Sequence, residues 1–293
     1  MHDLILMGAG LLASRTKKEL RRLDLRAKKG LGQHFLVDEK ALGCIISAAQ
    51  LTSADTVIEV GPGLGILTEE LAKRAGRIIA VEIDSRLASA LKETFASCCN
   101  VTIINKDILE TDAAALLELI GGAGDISYKV VANLPYFIGS AVVRHFMEAS
   151  IKPCLMVVTV QKEVAQQMAA QPGKMSLLSV GVQFYGKPAI VDYVPASSFY
   201  PRPKVDSAIV RIDLYDQPAV QVEDATKFFR VVRGGFSAPR KQLHNSLAQG
   251  LEISSRDAAA LVERAGISQK RRPETLSLDE WARVYQVCTE EGC

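Results

Sequence analysis

Three stretches of this chain carry residues whose chemistry packing alone does not explain. The first is VVANLPYFIGS, Val130 to Ser140. An apolar run ends there on the bare amide of Asn133, followed by Leu134, by Pro135 with its fixed φ, and by the ring of Tyr136. An Asn-x-Pro turn closing a strand would explain the amide and the proline. The second is EVGPGLGILTEEL, Glu59 to Leu71, where Gly61, Gly63 and Gly65 let the backbone turn sharply and approach a ligand. Alone it suits a NAD loop or a structural turn equally well. Its GPGLG spacing is not G-x-G-x-x-G, so a pyrophosphate is poorly provided for. The third is VEID with KDIL. Glu82 lies 21 positions after Gly61, where a carboxylate can accept from both hydroxyls of a ribose. Asp107 can accept from an adenine amino group, although alone it reads as a helix N-cap.

Set on successive strand ends, these residues describe a pocket for an adenosine with no phosphate requirement. S-adenosylmethionine fits that description better than NAD. Asn133 would then face the methyl donor. An adenine's exocyclic amine is a poor nucleophile because its lone pair is delocalised into the ring. Hydrogen bonds to the Asn133 side-chain oxygen and to the Leu134 carbonyl would favour a pyramidal nitrogen and aim its lone pair. The amine is neutral at pH 7, so no strong base is needed to start, and positioning supplies much of the rate. Tyr136 offers a face for a flipped base, worth ~1–3 kcal/mol.

The elements that must position these groups are legible from hydrophobic periodicity. TVIEVG, RIIAVEID, VTIINKD, YKVVANLP and CLMVVTVQ are short, nearly continuous apolar strands, as when both sheet faces are covered. GILTEELAKRAG, SRLASALKETF and SAVVRHFMEAS have helical spacing between them. The pattern predicts an α/β fold with a doubly wound, mostly parallel sheet. AIVDYVPASSFYPRPKVDSAIVRIDLY adds two strands around a Pro-rich turn, an antiparallel edge hairpin. After Gln217 the periodicity is helical only, and Ser254 with Asp257, and Ser277 with Glu280, fit capping boxes. The expected organisation is a basic extension over residues 1–27 that need not be ordered, a ligand-binding α/β domain over 28–216, and a small C-terminal all-helical domain over 217–293.

At 293 residues and 48% hydrophobic, the chain can bury a large core. Its longest apolar run, Leu4 to Ala13, is ten residues against the ~20 that a spanning helix needs. Six cysteines without a CxxC pair or a His partner at ligand spacing argue against zinc and disulfides, and point to a reducing cytoplasmic setting. The net charge of +2 conceals the segment Arg15 to Lys29, with eight Lys/Arg against Glu19 and Asp24. Such an arm suits a polyanion backbone.

The chain resembles the ribosomal RNA adenine dimethyltransferases that modify two adjacent adenines near the 3′ end of small-subunit rRNA. The resemblance runs from about Lys28 to Val287. It rests on GQHFL (Gly32 to Leu36), EVGPGLG, VEID, KDIL, NLPY, QKEVAQQM (Gln161 to Met168), FYPRPKVDSAIVRI (Phe199 to Ile212) and FSAPRKQLHNSL (Phe236 to Leu247). It implies a Rossmann-like class I methyltransferase sheet and S-adenosylmethionine as cofactor. It also implies that His34, Leu36, Gly61, Glu82, Asp107 and Asn133 contact the cofactor. Asn133, Leu134, Pro135 and Tyr136 would form the catalytic motif, and Tyr136 and Phe199 would stack on the base. Phe199 is equally readable as strand packing. The expected partner is small-subunit rRNA or its precursor particle, met by a monomer with no membrane and no metal. His34, Phe137, Gly139 and His244 depart from the usual family pattern. The related macrolide-resistance enzymes of large-subunit rRNA share the Gly-rich, Glu and Asn motifs, but FSAPRKQLHNSL and the helical C-terminus favour the small-subunit group. A non-catalytic assembly factor on the same scaffold would not need the intact pocket. His145 and Trp281 read as structural, and Arg271 with Arg272 as a solvated face.

Overall fold

The computed structural model describes residues 10–24, 32–121 and 127–291. The chain divides into two compact units, one taking it up to Ala165 with Ala189–Leu214, the other Gln166–Pro188 with Tyr215–Cys293.

The first unit is built on a seven-stranded sheet, completed at its edge by a strand that begins in the second unit. Strands β2 (Thr56–Val60), β3 (Arg77–Glu82), β4 (Val101–Asn105), β5 (Tyr128–Asn133) and β6 (Leu155–Gln161) run parallel, in the order β4-β3-β2-β5-β6. Strand β9 (Ser207–Leu214) pairs antiparallel with β6, and β7 (Gly186–Val194) follows it at the edge. The mostly parallel sheet with an antiparallel edge is the one the periodicity predicts. A separate two-residue ladder joins β1 (Phe35–Leu36) to β8 (Phe199–Tyr200).

The apolar runs form strands because both faces of the sheet are covered: every residue of β2 is buried, as are all of β3 beyond Arg77. Helices α2 (Glu39–Ala49), α3 (Ile66–Ala72), α4 (Ser85–Thr94), α5 (Ala113–Glu118) and α6 (Gly139–Glu148) connect or flank them, and α7 (Lys162–Met168) follows β6. Asp38, Asp84 and Asp112 cap α2, α4 and α5 by accepting from backbone N–H groups in the first turn. The chain reverses its direction across the sheet between β2 and β5. In open α/β sheets the crevice at such a switch point, outside the strands' carboxyl ends, is where ligands bind.

The N-terminal segment corrects one expectation. Residues 1–27 need not be ordered by sequence, yet Leu11–Arg22 forms helix α1. Leu20 explains it, since the side chain is 6% exposed and packs with Phe35 and Leu87. Residues 1–9 and 25–27 of the extension lie outside the described residues.

The second unit holds α9 (Ala225–Gly235), α10 (Leu243–Leu251), α11 (Ser255–Arg264) and α12 (Leu278–Glu290). Trp281 is its fully buried centre, beside Phe236. Ser277 and Glu280 make the reciprocal capping box, whereas the shorter Asp257 side chain meets the Ser254 hydroxyl instead of its backbone N–H. The boundary near residue 216 needs an amendment, because α8 (Leu177–Tyr185) also belongs here. Its Phe184 stacks on Phe228 at 5.0 Å, so the apolar face of this earlier segment is spent on the helical core.

Helices α9 and α10 cross where Gly234 and Gly250 meet. A Cβ on Gly250 would lie 2.3 Å from the Gly234 Cα. Gly250→Ala is therefore expected to force the helices apart and to lower the stability of this unit by ~1–3 kcal/mol, read as a lower denaturant midpoint in equilibrium unfolding.

Candidate active site

The carboxyl ends of β2, β3, β4 and β5 deliver the expected residues to one cavity. Gly61, Glu82, Asp107, Asn133, Leu134 and Pro135 line it, with His34 and Leu36 from the β1 segment. Gly61 and Gly63 adopt φ of +66° and +60°, a region that L side chains rarely occupy. Nothing beyond the Pro135 ring stands within 4 Å of where a Gly61 Cβ would project. The turn thus exposes backbone to the cavity.

Glu82 closes the turn over β3. Its Oε2 accepts from Gly63 N at 3.1 Å and its Oε1 from Asp84 N at 2.9 Å. Each oxygen keeps a second lone pair for a ligand hydroxyl. Asp107 serves both of the roles weighed for it: Oδ1 accepts from Leu109 N at 2.9 Å, capping the short helical turn Ile108–Glu110, while the residue lines the cavity.

Asn133 is fixed by one bond of consequence. Its Nδ2 donates to the His34 carbonyl at 3.1 Å, tying the end of β5 to the GQHFL segment. With the nitrogen committed, Oδ1 is the atom left to accept from a ligand. Tyr136 sits outside the cavity lining. Its hydroxyl meets Ser207 Oγ at 2.5 Å, the His34 ring stacks on its ring at 5.3 Å, and Phe199 lies edge-on at 6.5 Å. His34 is itself held by a hydrogen bond from Nδ1 to the Pro201 carbonyl at 2.7 Å, an acceptor that fixes the proton on Nδ1. Phe199 is 3% exposed, so in this arrangement it packs the site and offers no free face for a base. The exposed ring at the cavity is instead Phe137, 62% exposed and lying against Gly32.

Other candidates fall into structural roles. His145 Nε2 bonds the Thr111 carbonyl at 3.0 Å, and His244 Nδ1 bonds the Gln269 carbonyl at 3.0 Å. Arg271 is only partly exposed and is engaged, pairing with Glu280 and bonding Thr275, while Arg272 stays exposed.

The residue that sequence reading left without a role is Glu59. It sits inside β2, 1% exposed, with no hydrogen-bond partner for Oε2 among the described residues, and it lines the cavity. An acid inside a continuous apolar strand was the available signal. Burial pushes its pKa up to about 8, with the neighbouring Glu82 carboxyl adding to the effect. Burial likewise raises Glu82, against the backbone N–H groups of Asp84, Gly63 and Ile83 that favour its ionised form. The lining is thus rich in acids, with Lys106 as its one cation. Such a donor set fits a ligand with hydroxyls, an amino group and net positive charge, the features of a sulfonium nucleoside, and does not fit a diphosphate.

Comparison with known proteins gives a consistent identification. The family described as "Ribosomal RNA adenine dimethylase" matches residues 24–290. The chain belongs to that family. A relative from Dehalococcoides mccartyi, named "Ribosomal RNA small subunit methyltransferase A", is 51% identical over 286 residues, 98% of this chain and 97% of its own. One of the same name from Moorella thermoacetica is 44% identical, covering 92% and 95% of the two chains. Among solved structures, the 23S rRNA methyltransferase ErmE aligns at 28% identity and TM-score 0.67, over 86% of this chain and 98% of its own. A dimethyladenosine transferase from Plasmodium falciparum aligns at TM-score 0.74 and 24% identity over 88% and 98%, a likeness of fold. The family implies a methyl donor of the S-adenosylmethionine type and makes the chain an rRNA adenine dimethyltransferase by descent.

Glu59 sets a pH dependence. The folded protein holds its proton up to about pH 8, whereas an unfolded chain loses it near 4.5. Folding takes up a proton between those values, so this residue's contribution to stability falls as pH rises from about 4.5 to about 8 and is level above. Glu59→Gln should flatten that slope and be more stable than the parent at pH 8, as measured by chemical denaturation across the range. An unchanged slope would remove Glu59 as its source.

Proposed function

We propose that the protein transfers methyl groups from S-adenosylmethionine to the exocyclic amines of two adjacent adenines near the 3′ end of small-subunit rRNA, giving dimethyladenosines and serving assembly of the small subunit. The observation that carries this reading is Asn133, a neutral amide at the cavity edge with its nitrogen already committed and its oxygen available. Relatives bearing the small-subunit name at 51% and 44% identity favour that substrate over the large-subunit RNA named for the 28% identical structure.

The roles follow from the residues present. Glu82 takes the ribose hydroxyls through its remaining lone pairs, and Asp107 takes the adenine amino group of the cofactor. Gly61 lets the backbone approach, while His34 and Leu36 close the methionine end. Glu59 gives a positively charged ligand a nearby acid that such a charge would ionise. The sulfonium group supplies an electrophilic methyl carbon. Asn133 Oδ1, with the Leu134 carbonyl, accepts from the target amine and sets the direction of its lone pair. The base is held on Tyr136, unstacked from its neighbours, which costs least in a loop. Because the amine begins neutral, its proton leaves after transfer and no strong base is required.

Small-subunit particles and stripped large-subunit rRNA should be treated separately with protein and cofactor, digested with nuclease and analysed by mass spectrometry. Dimethyladenosine is expected at two adjacent positions in the small-subunit RNA alone. Product confined to large-subunit RNA would reverse the choice of substrate, and no product in either would refute the reading. Asn133→Ala should lower the rate at least ~100-fold, with cofactor binding by calorimetry weakened far less.

A further inference from the structure

We infer that helix α1 and the Tyr200–Lys204 turn form one basic surface that holds phosphates of the RNA strand flanking the target adenine. The inference deepens the rRNA reading above and rests on it. Helix α1 is docked, not adrift. Thr16 and Leu20 are buried, Leu20 against Phe35 and Leu87, with Leu23 and Leu64 at the margin. Arg15 pairs with Glu69 at 2.7 Å, and Arg86 donates to the Leu23 and Asp24 carbonyls at 3.0 Å each.

The opposite face is what this docking presents. Lys17, Lys18, Arg21 and Arg22 are exposed there, and Glu19 is the helix's sole acid. Glu19 is taken up by Arg22. Lys18 and Arg21 have no ion-pair partner among the described residues. A merely solvated helix face mixes signs at spacings that let them pair, as α3 does, where Lys73 meets Glu69 and Glu70. On α1 only Arg15 and Arg22 are compensated, and Lys17, Lys18 and Arg21 are without an ion-pair partner among the described residues.

The surface continues toward the site. Lys17 Nζ stands 5.3 Å from the centre of the half-exposed Tyr200 ring. Arg202 and Lys204 follow in the same turn, both exposed. The Pro201 carbonyl, between Tyr200 and Arg202, holds His34, whose ring covers Tyr136. A strand whose base reaches Tyr136 and Asn133 therefore has neighbouring phosphates beside fixed cations. Because the helix is already seated, little ordering opposes those contacts.

The test is the full chain carrying Lys18→Glu and Arg21→Glu, with an RNA hairpin containing the two adenines as probe. Affinity should fall at least ~10-fold near 100 mM salt, and the slope of log affinity against log salt should shrink by about 1–2, as expected for lost phosphate contacts. The KM for RNA should rise, while calorimetric affinity for the cofactor and the thermal midpoint stay at the parent values. Lys18→Ala with Arg21→Ala should give a smaller loss in the same direction. Unchanged affinity and salt slope would overturn the inference. So would an equal loss of cofactor binding, which would show that α1 acts through the cavity beneath it. A parent protein that neither binds nor methylates the hairpin or the particle would instead bring down the functional reading.

Discussion

A single hydrogen bond, from Asn133 Nδ2 to the His34 carbonyl, sets the terms for the rest of the site. A carboxamide has one end that donates and one that accepts, and enclosing it is far cheaper than enclosing a carboxylate. Spending one N–H on the backbone of the β1 segment fixes the orientation of the amide and leaves Oδ1 free to accept. An aspartate in that place could not donate to the carbonyl, and a serine could not reach both ways with a fixed direction. The sheet serves this bond: β5 ends at Asn133, Leu134 N is held by the Thr159 carbonyl of β6, and the Pro135 ring stands against the Gly61 turn.

The cavity around the amide is tuned by charge as much as by shape. Three carboxyls, Glu59, Glu82 and Asp107, converge on it from neighbouring strands. Burial raises the first two, and Glu59, pushed up to about 8, keeps its proton at neutral pH. A cation placed among them offsets the desolvation that disfavours the charged forms of Glu59 and Glu82, and an anion meets only Lys106. The wall therefore discriminates by sign before it discriminates by fit. The same argument accounts for the GPGLG turn, which exposes backbone at Gly61 but commits Gly63 N to Glu82.

The parts of the molecule that were readable from sequence are those governed by local periodicity and by fixed chemistry. Strands β2 to β6 announced themselves as apolar runs because both of their faces are covered. Glu82, Asp107 and Asn133 were legible because polar groups at strand ends have few structural reasons to recur in order. What could not be read depends on distant pairings. Phe184 joins the helical core through Phe228, and nothing near it in sequence says so. Phe199 is buried by its ladder with Leu36 and by the edge of Tyr136, so its neighbours Arg202 and Lys204 suggested an exposure that it lacks. Leu20 seats α1 on residues far along the chain, and Arg271 finds Glu280 across a loop. Glu59 was visible but unassigned, since a residue's burial on both faces is a property of the sheet and not of the motif.

His34 occupies the position that gives the GQHFL segment its consequence. Its ring covers Tyr136 while its carbonyl receives Asn133, so one residue is joined to both the stacking ring and the amide. A base that stacks on the covered face of Tyr136 must displace the imidazole, and the one side-chain hydrogen bond holding that ring among the described residues runs to the Pro201 carbonyl. Tyr136 itself stays in place through Ser207 of β9 and the edge contact with Phe199. The side of the sandwich that can move is thus the imidazole, and the side that stays is anchored to the sheet. Displacing the ring need not break the Asn133 bond, which engages the backbone of His34 and not its side chain. In the proposed roles, the fold thereby separates the ring that yields to the base from the amide that holds it.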